Sequence, residues 1–282
     1  MLYDIDSQAE EPEAREMTSL PEATERSASG TEAGALTIRE CVSVEELDAC
    51  VALQREAFGL PDLELSPRRH LVVARAAGGW VLGAFDGPTL VGFVLHLAAA
   101  RGREVIGYSH MMAVAPGQQN RGVGARLKWA QRERALGEGR RLIRWTWEPM
   151  RARNAHFNIN RLGVVVRAYA ADFYGTDYTT TPDEQGARRG LASDRLSAEW
   201  ELRSPRVEAL ARGQQPAPPG EAAASVEIPP DWNALVRSDP AAARRELLRA
   251  REGFQRAFAD GLVCAGFERE DARPRYLFYR ES

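Results

Sequence analysis

Residues 105–127, VIGYSHMMAVAPGQQNRGVGARL, decide the fold, because a strand, a glycine-containing loop and the start of a helix follow one another there. The strand ends at Val114, and Pro116-Gly117 places a turn after it. The first amides of the following helix have no acceptor within the helix, and Gly122 and Gly124 let a ligand come close to the backbone. Since the N-terminal end of a helix attracts negative charge, this segment predicts an anion site suited to a diphosphate.

Two commoner nucleotide-binding loops do not match this segment. A P-loop requires Lys and then Ser or Thr after its last glycine, whereas Ala125 and Arg126 follow Gly124. The dinucleotide-binding fingerprint requires three glycines, and this loop has only two at the required spacing. One simpler alternative stays open, in which Gly122 and Gly124 only permit tight packing at an ordinary strand-to-helix turn.

The flanking sequence predicts a mixed α/β (α+β) fold with a central sheet flanked by helices. Ser43 and Glu46 have the spacing of a capping box, and Ser66-Pro67 is typical of an N-cap followed by the first helical residue. Alternating apolar residues around the turn Asp86-Gly87 predict a hairpin. In the first half of the chain we expect strands at 36–39, 80–85, 90–97, 105–114 and 142–147, and helices after 43, after 66 and at 121–136. The order of the strand at 105–114, the helix at 121–136 and the strand at 142–147 predicts a parallel crossover.

The second half of the chain continues the pattern of helices and strands. We expect helices at 153–162 and 240–260, and strands at 164–169, 196–202, 226–229, 262–267 and 276–279. The predicted organisation is a flexible acidic tail at 1–34, a core at 35–210, a loop at 211–224 and a C-terminal extension at 225–282 packed on that core.

Composition excludes several classes of partner. The 282 residues are 44% hydrophobic and 27% charged, with a formal net charge of -3 and no basic tract, so we expect neither nucleic acid nor a membrane surface as a partner. Cys41, Cys50 and Cys264 lack metal-ligand spacing, which predicts reduced, buried thiols and no metal. The longest apolar stretches are too short to span a bilayer, and the acidic N-terminus does not resemble a signal peptide, so a cytoplasmic protein is expected.

The loop and the strand before it carry a resemblance to a known family. Gln119-Asn120-Arg121-Gly122-Val123-Gly124 matches the pattern of Gln or Arg, two residues, Gly, one residue, and Gly or Ala. Met112-Ala113-Val114-Ala115-Pro116 is similar to the strand end that precedes it. Over about residues 36–202, the sequence resembles the GNAT (GCN5-related N-acetyltransferase) superfamily.

The resemblance implies an acyl-CoA co-substrate, no metal, and direct transfer of the acyl group to an amine. Acyl-CoA would lie in a V-shaped opening between two strands that separate after Val114. The main chain of Met112, Ala113 and Val114 would align the pantetheine arm, and the amides of Gln119 to Gly124 would hold the diphosphate. Asn154 is a candidate for contact with the pantetheine amides. The residues of this expected cofactor site are Met112, Ala113, Val114, Gln119, Asn120, Arg121, Gly122, Val123, Gly124 and Asn154.

Two catalytic tasks follow from this chemistry, namely removal of a proton from the amine and stabilisation of the leaving thiolate. His110 is the first candidate base, because strand alternation places it on one face with Tyr108 and Met112; a structural histidine is the alternative. Glu148, just past a strand, is the reserve base. In similar proteins a tyrosine protonates the thiolate, but Ile159 occupies that position here, and Tyr174 is the substitute that the sequence offers.

The longer pattern from Arg153 to Gly175 resembles a bacterial acetyltransferase subgroup associated with N-acylamino-acid metabolism. That resemblance implies a small-molecule amine as acceptor, an amino acid among the candidates, and acetyl-CoA or succinyl-CoA as donor; it is also compatible with a homodimer. Two alternatives stay open, a protein or peptide N-acetyltransferase and a non-catalytic acyl-CoA-binding module.

Overall fold

The computed structural model describes residues 36–59, 62–175, 190–270 and 272–281. The predicted flexible tail at 1–34 lies outside these residues. The strands are β1 Thr37–Glu40, β2 Trp80–Asp86, β3 Thr89–Arg101, β4 Glu104–Val114, β5 Leu142–Trp147, β6 Val165–Ala170, β7 Arg195–Glu201, β8 Ala224–Glu227, β9 Leu262–Glu268 and β10 Arg275–Arg280. The helices are α1 Val44–Phe58, α2 Arg68–Ala76, α3 Val123–Gly137, α4 Ala152–Ala155, α5 Pro205–Ala211, α6 Trp232–Ser238 and α7 Pro240–Ala259.

All these strands form a single mixed sheet in the order β1-β2-β3-β4-β5-β7-β6-β9-β10-β8. The pairs β1-β2, β2-β3 and β3-β4 are antiparallel, and β4 and β5 form a parallel pair joined through α3. The C-terminal strands continue the sheet through β9, which pairs with β6. The predicted mixed sheet, the parallel crossover and the C-terminal extension of helix and strands are therefore confirmed.

Helices cover both faces of the first four strands, as strand alternation requires. Phe93 and Leu95 of β3 face α1 and α2, where they pack in one buried cluster with Leu47 and Leu71. Val94, between them, faces α3 and packs in a cluster with Val123, Leu127 and Trp80. Helix α1 begins at the predicted capping box, in which Ser43 accepts from the amide of Glu46 and the Glu46 carboxylate accepts from the amide of Ser43.

Three local predictions require correction. Ser66 is not the N-cap of α2, because the helix begins at Arg68 with Pro67 at the cap, and no side chain caps it. The helix predicted at 153–162 is α4 followed by a π-helical turn, His156–Arg161. Helices α5 and α6 were not predicted, because each is only seven residues long; each has a side-chain N-cap, from Ser204 and Asp231.

A bulge in β4 changes the face on which the predicted site residues lie. Leu95 is opposite Met111 and His96 is opposite Ser109, so His110 is an extra residue with no partner in β3. Met112 consequently packs with the α3 cluster, whereas His110 contacts Ser66 and His70 on the α2 side. The expectation that Tyr108, His110 and Met112 share one face is therefore wrong for Met112.

Among the helices that the structure describes, none has the length and the apolar composition needed to cross a membrane.

Candidate active site

Strands β4 and β5 separate near the middle of β4. Their pairing consists of Gly107 with Ile143 and Tyr108 with Arg144. Beyond Tyr108, β4 continues to Val114 and pairs with β3 along one edge. Strand β5 pairs with β7 along the edge that faces away from β4. The opening thus begins earlier in the strand than the expected point after Val114. Among the described residues, no strand pairs with this edge of β4 beyond Tyr108, which suits it to an extended ligand that carries amides, as in β-strand addition.

The loop after β4 leads into the start of α3 through a tight turn. Pro116–Gln118 forms a 3-10 turn, and Asn120 and Gly122 have left-handed backbone conformations with φ of 63° and 83°. The first main-chain hydrogen bond of the helix joins the amide of Arg126 to the carbonyl of Gly122, at 3.0 Å. No side chain caps this end, so the amides of the first turn are available to a ligand.

Gly122 does not serve tight packing. A Cβ built on this residue would have no atom within 4 Å, so its positive φ, and not crowding by the protein, is what favours glycine there. At Gly124, by contrast, a Cβ would make an ordinary contact of 3.4 Å with the end of Met112. The simpler alternative of a packing turn therefore explains neither the open space at Gly122 nor the uncapped helix.

Side chains around the loop tie it to its neighbours and add positive charge. Gln119 donates to the carbonyl of Val114 at 3.2 Å and accepts from Arg153 at 3.4 Å, which links the loop to the start of α4. Arg121 is exposed and donates to Gln118 at 3.2 Å. Asn154, the predicted pantetheine contact, is exposed next to Arg153. These guanidinium groups have the chemistry to bind phosphate oxygens.

His110 lies at the bulge, on the side of the sheet covered by α2. Its Nε2 is 3.4 Å from the Ser66 hydroxyl, which in turn is 3.1 Å from Nδ1 of His70. Burial lowers the pKa of His110, and the neighbouring His70 lowers it further. The imidazole therefore stays neutral near pH 7, which is the form that accepts a proton.

Tyr108 and Tyr174 lie close to each other at the start of the opening. Burial raises the pKa of the Tyr108 hydroxyl, the Tyr174 hydroxyl raises it further, and a hydrogen bond with Thr146 opposes both. Ser109 points to Lys128 on the α3 side, so alternation puts Tyr108 on the same face as His110. The Tyr174 side chain is 57% exposed, and the guanidinium of Arg195 lies 5.1 Å from its ring centre.

Glu148 lies just after β5, as predicted, but its carboxylate is occupied. It forms an ion pair of 2.7 Å with Arg151 at the start of α4. Within the described parts of the chain it shares no hydrogen bond with His110 or Tyr174. The structure thus places Tyr108 on the same face of β4 as His110 and Tyr174 near Tyr108, and among the described residues it shows no hydrogen bond between Glu148 and His110 or Tyr174.

Ile159 occupies the expected tyrosine position and is a fully buried core residue. It lies in the π-helical turn that follows α4 and packs in the largest buried cluster with Trp145 and Trp147. Insertions of this kind in a helix often occur at functional sites. No hydroxyl is available at this position to protonate a thiolate.

Lys128 is a feature of the site that sequence reasoning missed. Its side chain is 3% exposed, its ammonium donates to Ser109 at 2.8 Å and to Gln131 at 3.1 Å, and it lies 3.8 Å from the ring centre of Trp145. Ser109 and Trp145 are the first residues after the last pair of β4 with β5. Lys128 is the only lysine in a sequence rich in arginine, and this exception is the signal by which the sequence could have pointed to it.

One family model and several solved structures are similar to this chain. The family model of the acetyltransferase (GNAT) family matches residues 47–158. No curated protein matches the chain. Similar solved structures include a GNAT-family acetyltransferase from Streptococcus pneumoniae, at 20% identity and TM-score 0.46, covering 58% of this chain and 98% of that one. The ribosomal-protein-S18-alanine N-acetyltransferase from Escherichia coli has 12% identity and TM-score 0.46, with coverages of 59% and 94%.

A third similar structure is yncA from Salmonella typhimurium, solved with acetyl-CoA, at 15% identity and TM-score 0.47 with coverages of 60% and 95%. The family model spans β4, the anion loop, α3 and β5, which are the elements that form the opening described above. Residues 47–158 of this chain therefore match the acetyltransferase (GNAT) family.

Proposed function

We propose that this protein is an acyl-CoA-dependent N-acyltransferase that transfers an acetyl or succinyl group directly to the amine of a small molecule, such as an amino acid. The family match supports the general reaction, acyl-CoA-dependent N-acetyl transfer. The observation that carries the proposal is the separation of β4 from β5 after Tyr108, which leads to the uncapped start of α3.

The proposed binding mode uses main-chain groups along the opening. Pantetheine amides align with the main chain of β4 at Met112, Ala113 and Val114, and the diphosphate accepts from the amides between Gln119 and Gly124. Arg121 and Arg153 add charge beside the loop. The thioester then lies at the inner end of the opening, near the bulge at His110.

The proposed reaction proceeds without a covalent enzyme intermediate. The amine nitrogen attacks the thioester carbonyl carbon, the new C–N bond forms, and the C–S bond breaks to release the thiolate. His110 accepts the amine proton, and Tyr174, whose hydroxyl lies near Tyr108, is the candidate to protonate the thiolate. Ile159 is apolar and fully buried and cannot supply this proton; without an acid, the thiolate leaves as the anion, since it is a moderately good leaving group.

A small acceptor with a carboxylate suits the charge at the entrance of the opening. Arg195 lies over the ring of Tyr174, whose hydroxyl is near Tyr108 at the start of the opening, and a guanidinium binds a carboxylate through two parallel hydrogen bonds. A peptide substrate would need an open groove across this face. The two kinds of acceptor are therefore distinguished by comparing turnover of a free amino acid with turnover of a peptide that has the same N-terminal residue.

The proposal is tested by measuring thiol release from acetyl-CoA and succinyl-CoA with a panel of amino acids, polyamines and short peptides. Steady turnover with one free amino acid and not with its peptide supports the proposal. Turnover with peptides alone would favour the protein N-acetyltransferase alternative. Tight binding of acyl-CoA with no turnover on any acceptor would instead support a binding module, an alternative favoured by the buried Ile159.

A further inference from the structure

The Ser66 hydroxyl lies between two imidazole rings that are far apart in sequence. It is 3.4 Å from Nε2 of His110 and 3.1 Å from Nδ1 of His70, and the two ring centres are 5.6 Å apart. His110 and Ser66 are separated by 44 residues along the chain. His110 lies at the β4 bulge, just after the last pair of β4 with β5, whereas His70, in the first turn of α2, is partly exposed to solvent.

Gln54 of α1 holds Ser66 in this position. Its fully buried side chain accepts from the amide of Ser66 at 2.8 Å and donates to the Ser66 carbonyl at 3.1 Å. The Ser66 residue is 7% exposed, and its hydroxyl is not used to cap α2. Both main-chain groups of Ser66 are thus fixed by a neighbouring helix, while its hydroxyl is directed at the two histidines.

A hydroxyl has one proton, so it can donate to only one of the two imidazoles while it accepts from the other. We propose that His110, Ser66 and His70 form a proton relay that carries the amine proton from the reaction site to solvent. The proposal rests on the function proposed above, with His110 as the base. Ser66 and His70 do not touch the substrate; they act through His110.

The steps of the relay conserve protons and charge. Nδ1 of His110 takes the proton of the attacking amine, and its Nε2–H passes to the Ser66 oxygen. The Ser66 hydroxyl proton moves to Nδ1 of His70, and the Nε2–H of His70 is released to water. Both histidines end neutral in their other tautomer, and Ser66 ends with one hydroxyl proton as before. His110 therefore does not keep a positive charge in its half-buried position.

The charged side chains near the relay are paired with one another. On α1 and α2, Asp48 is paired with Arg68 at 2.8 Å, and Arg55 is paired with Asp62 of the connecting segment at 2.7 Å. On the His110 face of β4, the Tyr108 hydroxyl is bonded to Thr146. The Gln54 amide, which also faces Ser66, carries no charge.

The relay is tested with Ser66→Ala, Ser66→Thr, His70→Ala and His110→Ala in the full chain, with Ser238→Ala as the control. Ser238 also donates a hydrogen bond from its hydroxyl, to Ala234 at 2.8 Å, but it lies in α6. We expect Ser66→Ala and His70→Ala to lower kcat by about 10-fold or more, with unchanged affinity for acyl-CoA. Ser66→Thr, which keeps the hydroxyl, should retain most of the activity.

Two measurements separate a relay from a structural role. Added imidazole buffer should restore turnover to His70→Ala in proportion to its concentration, and the acid limb of the pH profile of kcat should move in the same variant. The relay is overturned if Ser66→Ala and His70→Ala keep wild-type kcat and pH profile while His110→Ala is inactive. It is also overturned if lost activity follows a lowered melting temperature and imidazole restores none of it. Absence of turnover in the wild-type protein would instead contradict the proposed function.

Discussion

At the scale of single residues, Gly122 connects backbone conformation with ligand binding. Its φ of 83° is strained for any residue with a Cβ, while the space around it is open. Gly139, at the other end of the same helix, has a φ of 79° and equally open surroundings. The two glycines therefore differ mainly in their distance from the anion loop.

Gly122→Trp should abolish binding of coenzyme A, because the indole would occupy the space in front of the first amides of α3. Gly139→Trp should cost a similar amount of stability, about 1–3 kcal/mol for the left-handed conformation, without changing affinity. Isothermal titration with coenzyme A and thermal unfolding of both variants give the comparison. Wild-type affinity in Gly122→Trp would remove the loop as the diphosphate site.

Because of Lys128, the free energy of unfolding of the protein should increase as the pH rises above about 7. Burial lowers the pKa of its ammonium from 10.5 to about 7. Between these values the unfolded chain binds the proton that the folded chain has released, so the free energy of unfolding rises with pH. The stabilising contribution is complete above about pH 10.5 and is lost as the pH falls to about 7.

Lys128→Met should remove this dependence. Between pH 7 and pH 9, the free energy of unfolding of the wild type should increase relative to the variant by up to about 1.4 kcal/mol per pH unit. Urea unfolding of both proteins at several pH values measures the difference, in which other titrating groups cancel. Parallel pH dependences would show that Lys128 is not held at a lowered pKa.

At the scale of elements, the packing of β4 against β3 depends on a missing side chain. A Cβ at Gly107 would lie 2.3 Å from the ring of His96. That ring is fully buried, stacks on Trp80 at 4.0 Å between ring centres, and is bonded to Arg140 and Gln131. His96 has no room to move away without breaking these contacts.

Gly107→Ala should therefore lower the free energy of unfolding by about 1–3 kcal/mol or more, as expected for an overpacked core. Gly124→Ala is the matched control, because its Cβ would meet Met112 at an ordinary 3.4 Å and alanine favours a helix. Chemical denaturation measures both variants. Equal stability of Gly107→Ala and the wild type would mean that His96 is not confined as described.

Strands and longer helices were predictable because their signals are local. Alternation and capping residues placed β5 at 142–147 and α1 after Ser43, as the structure has them. Alternation failed at the β4 bulge, since one extra residue reverses the side-chain faces without changing the apolar pattern of the strand. This is why His110 and Met112 were placed on one face.

At the scale of the whole molecule, the C-terminal elements share their core with the family domain. The largest buried cluster includes Ile143 and Trp147 of β5 together with Phe254 of α7 and Phe278 of β10. The Tyr276 hydroxyl accepts from Trp147 at 3.3 Å and donates to the carbonyl of Pro149 at 2.7 Å. The C-terminal hairpin thereby supports the segment that leads from β5 to α4.

Tyr276→Phe should lower the free energy of unfolding by about 1–3 kcal/mol, because a buried N–H and a buried C=O lose their partner. Since the core is shared, the transition should remain single, with coincident curves from circular dichroism and tryptophan fluorescence. Tyr174→Phe, at an exposed tyrosine, is the control for stability. Two separate transitions would contradict the proposal that residues 225–282 pack on the core as one folding unit.

The sequence by itself predicted the order of the strands and of the longer helices, the glycine-containing loop after β4 and the resemblance to the GNAT family, because each depends on residues near one another in the chain. Capping spacing, strand alternation and positive-φ glycines act over a few residues and can be interpreted without a structure. Only the tertiary structure decided that Ser66 joins His110 to His70 and that Lys128 lies where β4 and β5 separate. These contacts join residues up to 44 positions apart. The lowered pKa values of His110 and Lys128 depend on burial, which no local sequence pattern specifies.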